Sequence, residues 1–326
     1  MNVANVAVWG LGPHAIKNIL PALKTCTGVR LYGVCSRSAE TVDRIATQYK
    51  CEGWVDSSIM LQDRSVDIVY LSTPIGLHAA QGTSVLLANK HLWCEKPLAT
   101  NLAQAFELVR ISRERGVTLA EGFMYLYHSH FLQLREIVCS GRIGSLKQVT
   151  IRFGIPPLEI PGFRNQAALG GGAFLDVGSY TISAITALLA GSAPEVLLSE
   201  IVVAPGSSVD TTGQGILRYQ ASGNPVNVIL EWGSNCAYRN EIDLWGSTGS
   251  VASEHIFSKP PDYIPKFRFL DLRGKENYED GRAENHFVAM FKAFRGFIHS
   301  PEAAEGERIE IIRRADLIDK IQRSRI

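Results

Sequence analysis

The chain has 326 residues, enough for about two domains at roughly 150 residues each. Apolar residues make up 46% and charged residues 20%, a balance that excludes a disordered, collagen-like or coiled-coil chain. Lys and Arg number 33 against 32 Asp and Glu, a formal charge of +1, which gives no general drive toward nucleic acid or an anionic membrane.

The first 120 residues alternate strand and helix signals. Val3 to Trp9, Val29 to Val34, Val66 to Leu71, His91 to Cys94 and Val117 to Ala120 are apolar strand runs. Between them Pro13 to Leu23, Ala39 to Tyr49, Leu77 to Asn89 and Leu102 to Arg115 have helical spacing, the last stopping at Gly116. This alternation predicts a doubly wound α/β domain with a parallel sheet covered on both faces. Beyond Gly122 strand-type segments dominate: Leu146 to Ile155, Val196 to Val203, Gly215 to Tyr219, Val226 to Trp232, Glu241 to Trp245 and Phe267 to Leu272. Gly246 to Gly249 is a turn between two of them. Helices are expected at Ala173 to Leu189, Glu284 to Ile298 and Ile309 to Ser324. Strands with gathered helices predict an α+β domain with a large, mostly antiparallel sheet. The expected domains are therefore 1–122 and 123–326.

The six cysteines contain no C-x-x-C pair and read as reduced thiols of a cytoplasmic protein. No leader segment is expected ahead of the first strand. The most apolar stretch, Tyr180 to Ala190, is too short to span a membrane and is laced with Ser and Thr.

Gly10-Leu11-Gly12-Pro13-His14-Ala15 follows a strand and opens a helix. This is the dinucleotide fingerprint with Ala at the third position: Gly10 for the turn, Gly12 for close approach to a pyrophosphate, Ala15 for helix–strand packing. The helix start, with Pro13 and His14, then faces an anion. An NAD enzyme usually carries an acid at the end of the second strand. Here Ser36-Arg37 stands there and no acid appears before Glu40. Ser36 can hydrogen-bond a 2′-phosphate and Arg37 can pair with it, so NADP(H) is expected in preference to NAD(H). Ser72-Thr73-Pro74 ends the third strand run and belongs to the loop beside the cofactor. His78, just inside the following helix, is grouped with that loop, although a lone His there is more often a packing or capping residue.

Glu95-Lys96-Pro97 ends the strand His91 to Cys94, where ligands of doubly wound sheets sit. In isolation it would read as a surface lysine at a strand end. Gly170-Gly171-Gly172 then leads into a helix carrying Asp176 and Tyr180 four apart, a spacing that shares one face. A helix-start acid and an amphipathic core tyrosine would account for the same pattern.

Taken together, G-x-G-x-x-A, then E-K-P, then G-G-G-A-x-x-D-x-G-x-Y resembles the glucose–fructose oxidoreductase, inositol dehydrogenase and MocA (Gfo/Idh/MocA) family, over almost the whole chain. The resemblance implies a Rossmann domain joined to an α/β domain whose open sheet carries oligomer contacts, hence a homo-oligomer, dimer or tetramer. It implies pyridine-nucleotide redox chemistry on sugars, polyols or related carbonyls. The family's catalytic lysine corresponds to Lys96 and its aspartate to Asp176. Tyr180 stands where many inositol dehydrogenase-like members have His, as in the glucose–fructose oxidoreductase, dihydrodiol dehydrogenase and nucleotide-sugar ketoreductase branches. Tyr125 lies in a further family-like segment, Glu121 to His128, and is expected to face substrate. His128 and His130 lack an accompanying ligand at metal spacing, so no metal site is expected.

A ketone accepting hydride needs a proton donor. Tyr180 would donate the proton, Lys96 would favour its phenolate and polarise the carbonyl, and Asp176 would bind a substrate hydroxyl or orient Lys96. Arg164, six residues before the glycines, offers a fork for a diphosphate, a carboxylate or a vicinal diol. The leading expectation is an NADP(H)-dependent oxidoreductase reducing a keto sugar, possibly nucleotide-linked. The rivals are an aldose or trans-dihydrodiol-type dehydrogenase and a non-catalytic NADP-sensing regulator, which need not retain both Lys96 and Tyr180.

Overall fold

The computed structural model describes residues 3–191, 193–221 and 223–325. They form two compact units: Met1–Gly122 with Phe287–Ile312, and Phe123–His286 with Arg313–Ile326.

The first unit holds strands β1 (Ala4–Trp9), β2 (Val29–Cys35), β3 (Glu52–Trp54), β4 (Ile68–Leu71), β5 (His91–Cys94) and β6 (Leu119–Glu121). Helices α1 (Leu20–Thr25), α2 (Ala39–Tyr49), α3 (Ser57–Gln62), α4 (His78–Leu87) and α5 (Leu102–Arg115) connect them. The strand order is β3-β2-β1-β4-β5-β6, every pair parallel. A sheet covered on both faces wants unbroken apolar strands, and all four β4 residues are buried. The chain leaves β1 in one direction along the sheet and β4 in the other, so the strand order reverses between them. Ligands bind at such a reversal, outside the strands' carboxyl ends. Gly10, Ser72 and Glu95 follow β1, β4 and β5 there. Helix ends obey local chemistry: Asn101 accepts from the Gln104 N–H at the start of α5, and Gly116 closes it at φ +65°.

The sequence pattern marks one boundary, at Gly122; the fold returns a later helix to the first unit. In α8 (His286–His299) the side chains of Met290, Phe291 and Phe294 have no exposed surface. Phe291 stacks on Trp93 at 5.8 Å and meets Tyr70 edge-on at 5.4 Å. Truncating a buried aromatic of this kind costs about 3–5 kcal/mol.

The second unit is built on β7 (Leu146–Ile155), β8 (Glu195–Val202), β9 (Thr212–Ala221), β10 (Asn224–Ser234), β11 (Arg239–Gly246), β12 (Gly249–Glu254), β13 (Lys266–Asp271) and β14 (Glu276–Asp280). Their order is β14-β13-β12-β11-β7-β10-β9-β8, with β7 and β10 parallel and the other neighbours antiparallel. Helix α6 (Ser129–Cys139) precedes the sheet, α7 (Ser179–Leu188) lies between β7 and β8 in sequence, and α9 (Pro301–Arg323) follows α8, its residues to Ile312 counted in the first unit and those from Arg313 in the second. The α9 helix starts at Pro301 rather than Ile309, with proline in the first turn, where its missing N–H costs nothing.

Alternation along β10 puts Val226, Val228, Leu230 and Trp232 on one face, all at most 3% exposed. These residues are core of their own unit. The opposite face is polar: Arg152 pairs with Glu231 at 2.5 Å and with Glu241 at 3.1 Å. No described helix is long and apolar enough to cross a membrane.

Candidate active site

In the first unit the site is a row of strand ends tied by backbone hydrogen bonds. The Gly10 N–H donates to the Cys35 carbonyl (2.9 Å), Ser72 to Trp9 (2.8 Å) and Glu95 to Leu71 (2.9 Å). Gly10 has φ +105°, and a Cβ there would stand 2.4 Å from the Ser72 carbonyl oxygen. Only glycine fits such a backbone, for protein-internal reasons. Gly12 differs: a Cβ on it would meet nothing within 4 Å. Neither crowding nor strain within the protein demands glycine there, which fits a bare backbone kept for a ligand to approach. Pro13 is exposed, and Ala15, with no exposed surface, starts a π-wound turn, Ala15–Ile19, that runs into α1. At the end of β2, Ser36 is half-buried and Arg37 exposed, and Ser38 caps α2 by accepting from the Thr41 N–H.

The Glu95 carboxylate turns into the protein. Its Oε1 accepts from the Tyr70 hydroxyl (2.5 Å) and meets His14 Nε2 at 2.8 Å. Burial pushes its pKa up, but the His14 charge, hydrogen bonds from His14 and Tyr70 and the Lys96 charge win and hold it at about 2. Glu95 is thus ionised and fixes the start of the segment that carries half-buried Lys96. The Asn18 amide nitrogen lies 3.1 Å from His14 Nδ1, on the ring edge away from Glu95.

His78, expected beside the cofactor, is instead wholly buried. Its Nδ1 lies 2.9 Å from the Pro97 carbonyl and its Nε2 2.8 Å from the Thr73 carbonyl. Burial lowers its pKa against the opposing pull of those two carbonyls and of Glu95 and Glu121. It thus sits between the Thr73 loop and the Lys96-Pro97 loop, within hydrogen-bond distance of a carbonyl of each. Thr73 itself donates to Gln81 at 2.5 Å, and Pro74 is half-buried.

In the second unit the expected even helix opens as a π-wound turn, Phe174–Gly178, that continues into α7. Such turns recur at functional sites. Asp176, 7% exposed, accepts from Arg164 Nε at 2.5 Å. The Gly172 N–H donates to the Arg164 carbonyl at 2.9 Å, and a Cβ on Gly171 would stand 2.4 Å from that same oxygen. The glycines therefore let the Arg164 turn lie directly against the helix start. Arg164 and Asp176 line a cavity of about 440 Å³ with Leu158, Pro161, Ser207 and Asn235.

Tyr180 is 8% exposed and sits among Phe153, Phe123 and Phe257 at 5.0, 5.5 and 5.5 Å between ring centres. Tyr125, expected to face substrate, has no exposed surface. Its hydroxyl is 2.5 Å from Ser183 Oγ and donates to the Tyr180 carbonyl at 3.3 Å, so it supports α7 from behind. His128 and His130 are buried. His128 Nδ1 accepts from the His130 N–H at 2.9 Å, and His130 Nε2 meets Ser253 Oγ at 2.7 Å. Among the described residues no three His, Cys, Asp or Glu side chains converge as metal ligands would.

The sequence reading missed Tyr70, Gln81 and Asp210. Asp210 accepts from the Phe174 N–H at 2.6 Å across 36 residues of sequence, a separation no local pattern spans.

A parallel sheet with a glycine-rich first turn, and a second unit presenting an acid and a tyrosine on one helix, define a nucleotide-binding oxidoreductase. Residues 4–123 match the oxidoreductase family with NAD-binding Rossmann fold, and residues 131–252 match the GFO/IDH/MocA C-terminal domain. The chain is 30% identical to a dTDP-3,4-didehydro-2,6-dideoxy-alpha-D-glucose 3-reductase of Saccharopolyspora spinosa, over 98% of this chain and 97% of that one. It is 28% identical to a trans-1,2-dihydrobenzene-1,2-diol dehydrogenase of Xenopus laevis, over 83% and 80%. The crystal structure of a 3-ketoreductase from Actinomadura kijaniata, in complex with NADP and TDP-benzene, superimposes with a TM-score of 0.93 at 29% identity, covering 99% of this chain and 98% of that one. The protein belongs to the Gfo/Idh/MocA oxidoreductase family.

Proposed function

We propose that this protein is an NADPH-dependent reductase of a keto sugar carried on a nucleoside diphosphate. The reading is carried by Lys96 at the end of β5 together with Asp176 and Tyr180 on one helix, in a chain that dTDP-keto-sugar 3-reductases match end to end. The Gly10–Ala15 turn would hold the pyrophosphate, with Ser36 and Arg37 on the 2′-phosphate. When bound, NADPH supplies the hydride. Tyr180 gives its proton to the carbonyl oxygen. Lys96 brings positive charge to that oxygen and eases the loss of the tyrosine proton. Asp176 holds Arg164 by Nε, which leaves the rest of the guanidinium fork to face the cavity and a substrate oxygen.

The test is NADPH oxidation with a panel of dTDP-keto sugars, run beside NADP-dependent oxidation of aldoses and trans-dihydrodiols. Turnover confined to dihydrodiols would replace the keto-sugar reading, and turnover of none would leave a sensor of NADP. We also propose a homo-oligomer formed through the polar face of the second sheet, where Trp245 is 60% exposed. Light scattering at micromolar concentration checks this, and a strict monomer would contradict it.

A further inference from the structure

The segment that carries Asp176 and Tyr180 starts without a cap of its own: neither Ala173 nor Gly178 makes a side-chain cap hydrogen bond. Helix starts leave N–H donors that need partners. Here one residue from a distant loop supplies two. The Ala173 N–H donates to the Asp210 carbonyl at 3.0 Å, and the Phe174 N–H to the Asp210 carboxylate at 2.6 Å. Gly172 is fitted to the same group. Its φ is +115°, and a Cβ there would stand 2.1 Å from Asp210 Oδ1, so the carboxylate fills the space any other residue would need.

Asp210 falls in sequence between residues that line the cavity: 204–209 and Thr211 line it, as do Arg164, Gly172, Ala173 and Asp176. The 204–211 segment is itself fixed: the Thr211 N–H donates to the Val202 carbonyl at 2.8 Å and the Ser234 N–H to the Thr211 carbonyl at 2.7 Å. Gly172, which also lines the cavity, donates its N–H to the Arg164 carbonyl at 2.9 Å. Two lining segments, 172–176 and 204–209, are therefore tied together through Asp210. Burial raises its carboxyl pKa, opposed by the amides of Phe174, Asp210 itself and Ala173.

We propose that Asp210 is a positioning residue: it registers the Gly172–Tyr180 segment against the 204–211 segment, so that Arg164, Asp176 and Tyr180 meet the substrate in one fixed arrangement. This rests on the keto-sugar reading above. Misplacing a reacting group by about 1 Å can cost roughly 10²-fold, so a cap of this kind bears on rate as well as on helix stability.

The experiment compares the full-length protein with Asp210→Ala, Asp210→Asn and Gly172→Ala. It measures kcat and KM for a dTDP-keto sugar, the NADPH dissociation constant, and amide hydrogen exchange across 172–180. Asp210→Ala should lower kcat/KM roughly 10–100-fold, speed exchange at 173–176 and leave NADPH affinity unchanged. Gly172→Ala, which drives a methyl into the carboxylate, should give the same split. Asp210→Asn keeps an oxygen acceptor of equal capping strength and should recover most of the loss. Wild-type kinetics in Asp210→Ala would overturn the proposal, as would an Asn variant as poor as Ala or an equal loss of NADPH binding. If the wild-type protein reduces no dTDP-keto sugar, the substrate reading fails while exchange still decides the anchoring: unchanged exchange in Asp210→Ala overturns it.

Discussion

Arg37 stands exposed at the end of β2 with Ser36 half-buried beside it. A guanidinium there can meet a 2′-phosphate, while an acid would repel it. A hydrogen bond to a charged group is worth about 1.5–3 kcal/mol, so Arg37→Ala should lower kcat/KM with NADPH by roughly 10–100-fold and with NADH very little. Steady-state kinetics with both cofactors decide it; equal losses would sink the 2′-phosphate role. Tyr180 is boxed by Phe123, Phe153 and Phe257, so Tyr180→Phe removes a hydroxyl without opening a cavity. Folding and NADPH binding should survive while kcat falls by about 10²–10⁴-fold. Lys96→Ala should cost at least as much. The double variant should be little worse than Lys96→Ala, since groups acting as one unit are not additive. Stopped-flow hydride transfer across pH checks all three. A Tyr180→Phe rate near wild type with an unchanged pH profile would pass the role to another donor.

At the scale of elements, the two glycines of the first turn do different work. Gly10→Ala puts a methyl 2.4 Å from the Ser72 carbonyl oxygen at φ +105°, and should destabilise the fold by about 1–3 kcal/mol. Gly12→Ala meets no protein atom. It should leave the melting temperature where it was and weaken NADPH binding tenfold or more. A Gly12→Ala protein that binds NADPH as wild type does would show that the pyrophosphate lies elsewhere. The sequence made this turn legible because strand, glycines and helix are contiguous; Lys96, Asp176 and Tyr180 likewise lie in contiguous motifs, and the variants above test their roles. Short edge strands hid for a physical reason: in Glu52–Trp54 two of three residues are exposed, and in Glu276–Asp280 four of five, so neither shows a buried face. Periodicity in α8 announces an apolar face but not that Trp93 receives it. The π-wound starts at Ala15–Ile19 and Phe174–Gly178 leave no mark in composition. Asp210 stayed hidden among serines and threonines because its partner amides are distant in sequence. Tyr125 and His78 carry the right chemistry in the right motif, yet only burial shows that Ser183 and two backbone carbonyls take up their polar atoms.

For the whole molecule, buried titratable groups set the response to acid. His78, His128 and His130 have no exposed surface. Burial, with the Lys259 charge, holds His128 at about 4 and His130, also beside His128 and His255, at about 2; His78 is lowered chiefly by burial. An unfolded histidine binds its proton near pH 6.5. Between pH 6.5 and about 4 the unfolded chain therefore holds protons that the folded chain refuses, and stability falls as pH falls. His128 and His130 each contribute up to about 1.4 kcal/mol per pH unit over that window. Glu95 adds a second step of the same sign. Its folded pKa of about 2 lies below the unfolded value, so its stabilisation is complete above about 4.5 and is lost as pH drops toward 2. Asp210 and Asp243, raised chiefly by burial, act in the opposite direction and soften the second step. Lys259, held at about 7 chiefly by burial, already lowers stability as pH falls toward 7, so the expected profile, from urea melts between pH 8 and 3, is a decline that is under way at pH 8 and is carried by the histidines below pH 6.5, well above the carboxylate range. His128→Asn should flatten the decline between pH 6.5 and 4, and Glu95→Gln should change only the part below pH 4.5. If the His128→Asn and wild-type profiles ran parallel through the upper window, the buried histidines would not be its cause.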